Sequence, residues 1–135
     1  MRENVVIKGK PQRVLQVFSS LNRGGAESRM MDIYRNIEKE QVQFDFAVTS
    51  ENVEQHFFYN EILKMGGSIY EIMSWRKIGV ISYFRQWKAI IKKENYDIMH
   101  THMGPESGIP LFFGWLNGIT KRIVHARDSG IYDAS

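Results

Sequence analysis

Two short segments hold the side chains best placed by type and spacing to do chemistry. The first is Ser19-Ser20-Leu21-Asn22-Arg23-Gly24-Gly25, a polar stretch ending in paired glycines directly before a helical pattern. Glycine lets a backbone approach a ligand closely. The unpaired N–H groups and the dipole at a helix start favour a phosphate. Asn22 adds a donor and Arg23 a positive charge, so Asn22, Arg23, Gly24 and Gly25 form a candidate diphosphate-binding loop. A glycine turn that only starts a helix would look the same. The G-x-G-x-x-G spacing of a dinucleotide site is absent, and no Gly-Lys-Ser/Thr follows as a Walker loop requires.

The second segment is Asp97-Ile98-Met99-His100-Thr101-His102. On a strand His100 and His102 point to one face. His102 falls at the strand's end, where it would line a pocket; His100 sits one pleat deeper and reads as a hydrogen-bonded core histidine. A metal ion is conceivable here, with Asp97 or Glu106 as further ligands. Neither stands at a recognisable ligand spacing, so no metal is expected. After the last strand come His125, Arg127, Asp128 and Ser129. Arg127 suits a phosphate or carboxylate or equally an ion pair with a neighbouring acid.

Alternating strands and helices must position these groups. Val14–Phe18, Phe44–Val48, Ile69–Ile72, Asp97–His102 and Arg122–Ala126 read as five strands. Between the first two, Ala26, Met30, Ile33, Tyr34 and Ile37 mark one helical face, with Glu27, Arg29, Asp32 and Arg35 elsewhere. Phe58, Ile62 and Met65 mark a second helix, stopped by Gly66-Gly67. Val80, Phe84, Trp87 and Ile91 mark a third. Residues 105–117 are apolar nearly all round, so that helix is expected to be buried, with Gly118 ending it. Single helices between strands force parallel pairing with right-handed crossovers. The expected fold is α/β, a doubly wound, Rossmann-like parallel sheet in order 3-2-1-4-5, with flavodoxin-like 2-1-3-4-5 as the alternative. In the first order, strands one and four are neighbours, and their following loops meet in a crevice at the strand C-termini.

Composition agrees with one globular domain. The chain has 135 residues, 43% hydrophobic and 24% charged, with a net charge of +3. That mild positive bias permits an anionic ligand and does not call for nucleic acid. Without cysteine there is no disulfide framework and no thiolate zinc site. No run approaches the ~20 apolar residues of a membrane-spanning helix, and no secretory signal is recognisable at residues 1–11. Residues 75–93 mix Trp75, Tyr83, Phe84 and Trp87 with Arg76, Lys77, Arg85, Lys88, Lys92 and Lys93. Such a helix can lie on an anionic membrane; it is equally an ordinary amphipathic helix with its lysines in water.

From about residue 12 to residue 129 the chain resembles the N-terminal domain of GT-B glycosyltransferases, specifically the large retaining family four. The likeness rests on Arg13-Val-Leu-Gln-Val-Phe, Leu21-Asn22-Arg23-Gly24-Gly25-Ala26-Glu27, Tyr34-Arg35-Asn36-Ile37 and Gln43-Phe44-Asp45-Phe46. It continues through Met65-Gly66-Gly67, Tyr96-Asp97-Ile98-Met99-His100-Thr101-His102 and Arg122-Ile123-Val124-His125-Ala126. The combination of Asn-Arg-Gly-Gly-Ala-Glu with His-x-His is the specific part, and it is closest to bacterial enzymes of exopolysaccharide or capsule assembly.

The resemblance implies a transferase that moves a hexosyl-type sugar from a nucleotide-sugar donor to a glycan or lipid-linked acceptor with retention of configuration. The nucleotide sugar is a substrate, and no cofactor is implied. Gly24 and Gly25 would approach the donor diphosphate, and His102 would line the cleft beside the reacting sugar as the catalytic candidate. His100, Glu106 and Arg127 would line the acceptor side. Arg127 stands where close relatives often carry a second histidine. Residues 1–12 are expected to be a tail and 13–135 a truncated acceptor-side domain, inactive alone because the C-terminal donor domain is absent. The expected place is cytoplasmic, and a lipid-linked acceptor would fit a peripheral position on the inner membrane face, touched through residues 75–93. The competing reading is a non-catalytic α/β ligand-binding module, or an acceptor-binding subunit of a split transferase. A receiver module would need acids after the first strand, and Ser19-Ser20-Leu21 offers none.

Overall fold

The computed structural model describes residues 10–103, 108–119 and 121–125. Its strands are β1 (Gln12–Phe18), β2 (Val42–Val48), β3 (Ile69–Glu71), β4 (Ile98–Thr101) and β5 (Lys121–Val124). Its helices are α1 (Gly25–Asn36), α2 (Tyr59–Lys64), α3 (Trp75–Ile78), α4 (Val80–Lys93) and α5 (Gly108–Leu116), with a 3-10 turn at Val53–Gln55. All strand pairs are parallel, in the order β3-β2-β1-β4-β5. The expected doubly wound fold is therefore present, and the flavodoxin-like alternative is ruled out. β1 starts at Gln12, inside the stretch expected to be tail.

β1 occupies the centre and shows why both sheet faces are covered. Val14 and Phe18 join the core under α1 and α2, with Phe44, Phe46, Met30, Tyr34 and Ile62. Leu15 and Val17 join the opposite core under α4 and α5, with Trp87, Ile91, Met99 and Phe113. A central strand buried on both faces needs a continuous apolar run, which is what Val14–Phe18 supplies apart from Gln16. Asp45 is the one acid inside β2, and it is fully buried. It accepts from Arg13 Nη2 (2.8 Å), Tyr96 Oη (2.7 Å) and the Ser68 N–H (2.8 Å), so every exposed end of its charge is answered.

Three expectations are corrected. The third helix, marked by Val80, Phe84, Trp87 and Ile91, is α4 as expected, but the basic stretch over residues 75–93 is two helices and not one, because Gly79 takes φ +87° between α3 and α4. The buried side of α1 carries Ala26, Glu27, Met30, Met31 and Tyr34, while Ile33 is half exposed. The helix is thus rotated relative to the apolar spacing, with Glu27 turned inward. α5 is not buried all round either: Ile109, Phe112, Trp115 and Leu116 are exposed, and only Pro110, Phe113 and Gly114 are fully covered. One neighbouring helix and one sheet face cannot enclose a helix that is apolar on every side. Among the described residues no helix is long and apolar enough to cross a membrane.

Candidate functional site

Adjacency of β1 and β4 brings the two chemically loaded segments to one end of the sheet. The loop after β1 is fastened from behind by the segment before α2. Leu21 N–H donates to His56 Nδ1 (3.0 Å), Phe58 N–H to the Leu21 carbonyl (3.1 Å) and Phe57 N–H to Asn22 Oδ1 (2.9 Å). The Arg23 guanidinium lies over the Phe57 ring, 4.9 Å from its centre. The Asn22 carbonyl and the Arg23 face are thus engaged in holding the loop, a use the sequence did not reveal.

Gly24 caps α1 without any side-chain cap bond, leaving the first helical N–H groups for another acceptor. Neither glycine needs a left-handed backbone: Gly24 is extended at φ −162°, ψ 173°, and Gly25 is helical. Space separates them. A Cβ on Gly24 would stand 2.5 Å from Glu27 Oε1, whereas one on Gly25 would meet nothing within 4 Å. Glu27 is only 7% exposed, and its Oε1 has no hydrogen-bond partner. It occupies the third helical position, from which a glutamate folds back over the first turn. Its position there was the available sequence signal.

His102 lies just beyond β4, anchored by its N–H to the Val17 carbonyl at 2.9 Å. Its ring stacks on Phe18 with centres 4.1 Å apart and planes 2° apart. Nε2 is 2.8 Å from Gln16 Oε1, a contact that fixes the orientation of the ring. The ring is 2% exposed. Gln16 therefore sits in the apolar strand as the group that orients His102. His100 pairs in register with Gln16 and points to the same face; its Nε2 is buried without a partner. Burial first, and the charge of His125 second, hold its imidazole below the usual histidine range.

A third imidazole joins them. The β4–β5 register sets Thr101 beside Val124, so His125 comes next to His102, with its N–H bonded to the Thr101 carbonyl at 2.8 Å. Ring centres lie 4.1 Å (His100–His102), 5.6 Å (His102–His125) and 5.7 Å (His100–His125) apart. One ring nitrogen from each falls within 4.8 Å of the others. A third metal-ligand candidate, absent from the sequence reading, thus exists. Three nitrogens at ~2.0–2.1 Å from one ion would sit closer together than that, so binding would require the rings to draw in. His125 is the exposed member. Of the other expected cleft residues, Glu106 and Arg127 lie outside the described residues.

Fold and site together define a doubly wound α/β domain with a glycine-ended helix start and an imidazole cluster on adjacent strands at the ligand-binding edge. Two curated proteins are similar to it. EpsF of Bacillus subtilis (strain 168), named as a glycosyltransferase, is 32% identical over 119 residues, covering 87% of this chain and 30% of its own length. CapH of Staphylococcus aureus, named as a capsular polysaccharide biosynthesis glycosyltransferase, is 30% identical over 117 residues, covering 87% of this chain and 31% of its own length. The chain thus spans about a third of the length of these relatives. No protein-family model matches it, and no solved structure does.

Proposed function

We propose that this domain is the acceptor-side wall of a GT-B sugar-transfer site, working with a donor domain to move a sugar from a nucleotide-sugar donor to a glycan or lipid-linked acceptor with retention of configuration. The observation that carries the reading is the likeness, over 87% of the chain, to two proteins named as glycosyltransferases. The β1–β4 edge is where the chemistry belongs. In this reading the N-terminus of α1, approached across Gly25, stabilises charge gathering on the leaving diphosphate. His102, oriented by Gln16, presents its ring toward the reacting sugar once the cleft is closed. Its Nε2 is turned to Gln16, so in this reading the ring shapes and polarises the pocket wall and does not meet the diphosphate through that nitrogen. His125 is the imidazole in position to meet a sugar hydroxyl. No metal or cofactor takes part.

The test is release of nucleoside diphosphate by the full-length protein across a panel of nucleotide sugars and lipid-linked or glycan acceptors, with the product's anomeric configuration read by NMR. Turnover with retention supports the proposal, as does silence from residues 1–135 alone. Turnover by residues 1–135 alone would refute the division into two walls. Inversion would refute the retaining reading.

A further inference from the structure

The sheet itself builds the three imidazoles into a tripod. Residues two apart on a strand share a face, which sets His100 and His102 on one side of the sheet. The β4–β5 register pairs Ile98 with Lys121 and Thr101 with Val124. Carried one residue further, it stands His125 beside His102 on that same side, and neighbouring strands are only about 4.7–4.9 Å apart. Two rings from one strand and a third from its neighbour mark the corners of a triangle. One ring nitrogen from each lies within 4.8 Å of the other two. His125 is the exposed corner, and His102 is the covered one.

Donor chemistry selects the ligand. Imidazole nitrogen suits zinc, nickel or copper, whereas magnesium and calcium take oxygen. A triangle with sides of at most 4.8 Å has a centre no more than about 2.8 Å from any corner, so each nitrogen must move less than about 0.8 Å to reach the ~2.0–2.1 Å of a zinc–imidazole bond. Rotation of the exposed His125 ring brings its nitrogen inward, and the two rings on β4 close the remainder. His100 supplies a second and independent sign. Its Nε2 is buried without a hydrogen-bond partner, and a buried polar atom left unanswered is costly. An ion bound by that nitrogen answers it.

We infer that His100, His102 and His125 form a binding site for one divalent ion of the zinc class, held by three imidazoles with its remaining position turned to solvent beside His125. The inference goes beyond the proposed function, in which no metal takes part, and does not depend on it. β5 is exposed along its whole length. An ion shared by His125 and the two histidines of the β4 segment ties that strand to its neighbour more firmly than backbone pairing alone, so occupancy stabilises this end of the sheet.

The test is a cobalt(II) titration of the full-length protein, purified without a polyhistidine tag and in the absence of sugar nucleotide. Cobalt is the probe because its four-coordinate complexes absorb strongly in the visible, while hydrated cobalt absorbs weakly. The strong bands are expected, with zinc displacing the cobalt and excess magnesium leaving it in place. His125→Ala, at an exposed position that leaves the fold intact, and His100→Gln should each bind one equivalent fewer at micromolar cobalt. Their affinity should fall roughly a hundredfold or more, since losing even a hydrogen-bond partner of a metal-bound histidine costs roughly 10- to 100-fold. Zinc should raise the melting temperature of the wild type further than that of His125→Ala. Four results would overturn the inference: only the weak spectrum of hydrated cobalt, displacement by magnesium, equal equivalents bound by wild type and His125→Ala, or the same zinc response in both melts. Sugar transfer is read in none of them, so the proposed function fails or succeeds separately.

Discussion

Gly25→Ala separates a phosphate-binding glycine from a merely structural one. Gly25 is the first residue of α1, and an added Cβ there meets no heavy atom within 4 Å. Its backbone is one that alanine adopts freely. Substitution therefore costs no packing and removes conformational freedom from the unfolded chain, worth about 0.4–1 kcal/mol in favour of the fold. A domain of this size should melt a few degrees higher. The donor meets the opposite effect. A phosphate oxygen ~2.9 Å from the first helical N–H groups would share that space with the new methyl. Losing one such contact entirely costs 10²- to 10³-fold in other enzymes; with some loop adjustment, at least a tenfold fall in kcat/KM is expected, or ~1.4 kcal/mol. Gly24→Ala serves as the contrast, since its Cβ would stand 2.5 Å from Glu27 Oε1 and both melting temperature and turnover should fall. The assay pairs a thermal melt with donor kinetics on the full-length protein. A Gly25→Ala protein that is as stable as expected and turns over within twofold of wild type would refute the phosphate role.

Two further outcomes follow from buried polar groups. Asp45→Ala strands Tyr96 Oη and the Ser68 N–H and removes the partner of Arg13. Because Arg13 is partly exposed and can turn to water, a loss near the lower end for a broken buried pair, about 3 kcal/mol, is expected in urea unfolding. His100 has a depressed folded pKa, so below the unfolded value of ~6.5 the unfolded chain binds more protons. Its contribution is fully present above that value and is lost as pH falls toward and through the lower folded value. His100→Gln should flatten this acid limb of a stability–pH curve, and an unchanged limb would contradict the assignment.

The sheet was legible because central strands buried on two faces need a nearly continuous apolar run, as Val14 to Phe18 supply apart from Gln16, and because the helices between them leave parallel pairing as the only arrangement. Helix faces were less legible. The spacing of Ala26, Met30, Ile33, Tyr34 and Ile37 suggested a core stripe for α1, and Ala26, Met30 and Tyr34 are buried with Ile37 packed against them, but Ile33 is left half exposed while Glu27 and Met31 turn inward. Composition alone marked α5 as buried; how much of a helix is covered depends on its neighbours, and α4 covers one side only. Within the site, His100 and His102 could be paired by their spacing along one strand. His125 joins them only through the β4–β5 register, which no local pattern encodes. The roles of His56 and Phe57 in fastening the Asn22–Arg23 loop are equally non-local. Asp45 did carry a readable signal, since an acid inside an apolar strand requires buried partners, though Arg13 and Tyr96 come from elsewhere in the chain.

The central claim is that the β1–β4 edge is one wall of a sugar-transfer site. Its most direct test is nucleotide-sugar turnover by the full-length protein, wild type against His102→Gln, with circular dichroism confirming that the variant folds. The expected result is turnover by the wild type and a loss of about a hundredfold in the variant, the cost of a misplaced wall beside the reacting sugar. Undiminished turnover by a folded His102→Gln protein would contradict the placement of the site, and a wild-type protein that releases nucleoside diphosphate from no donor would contradict sugar transfer itself.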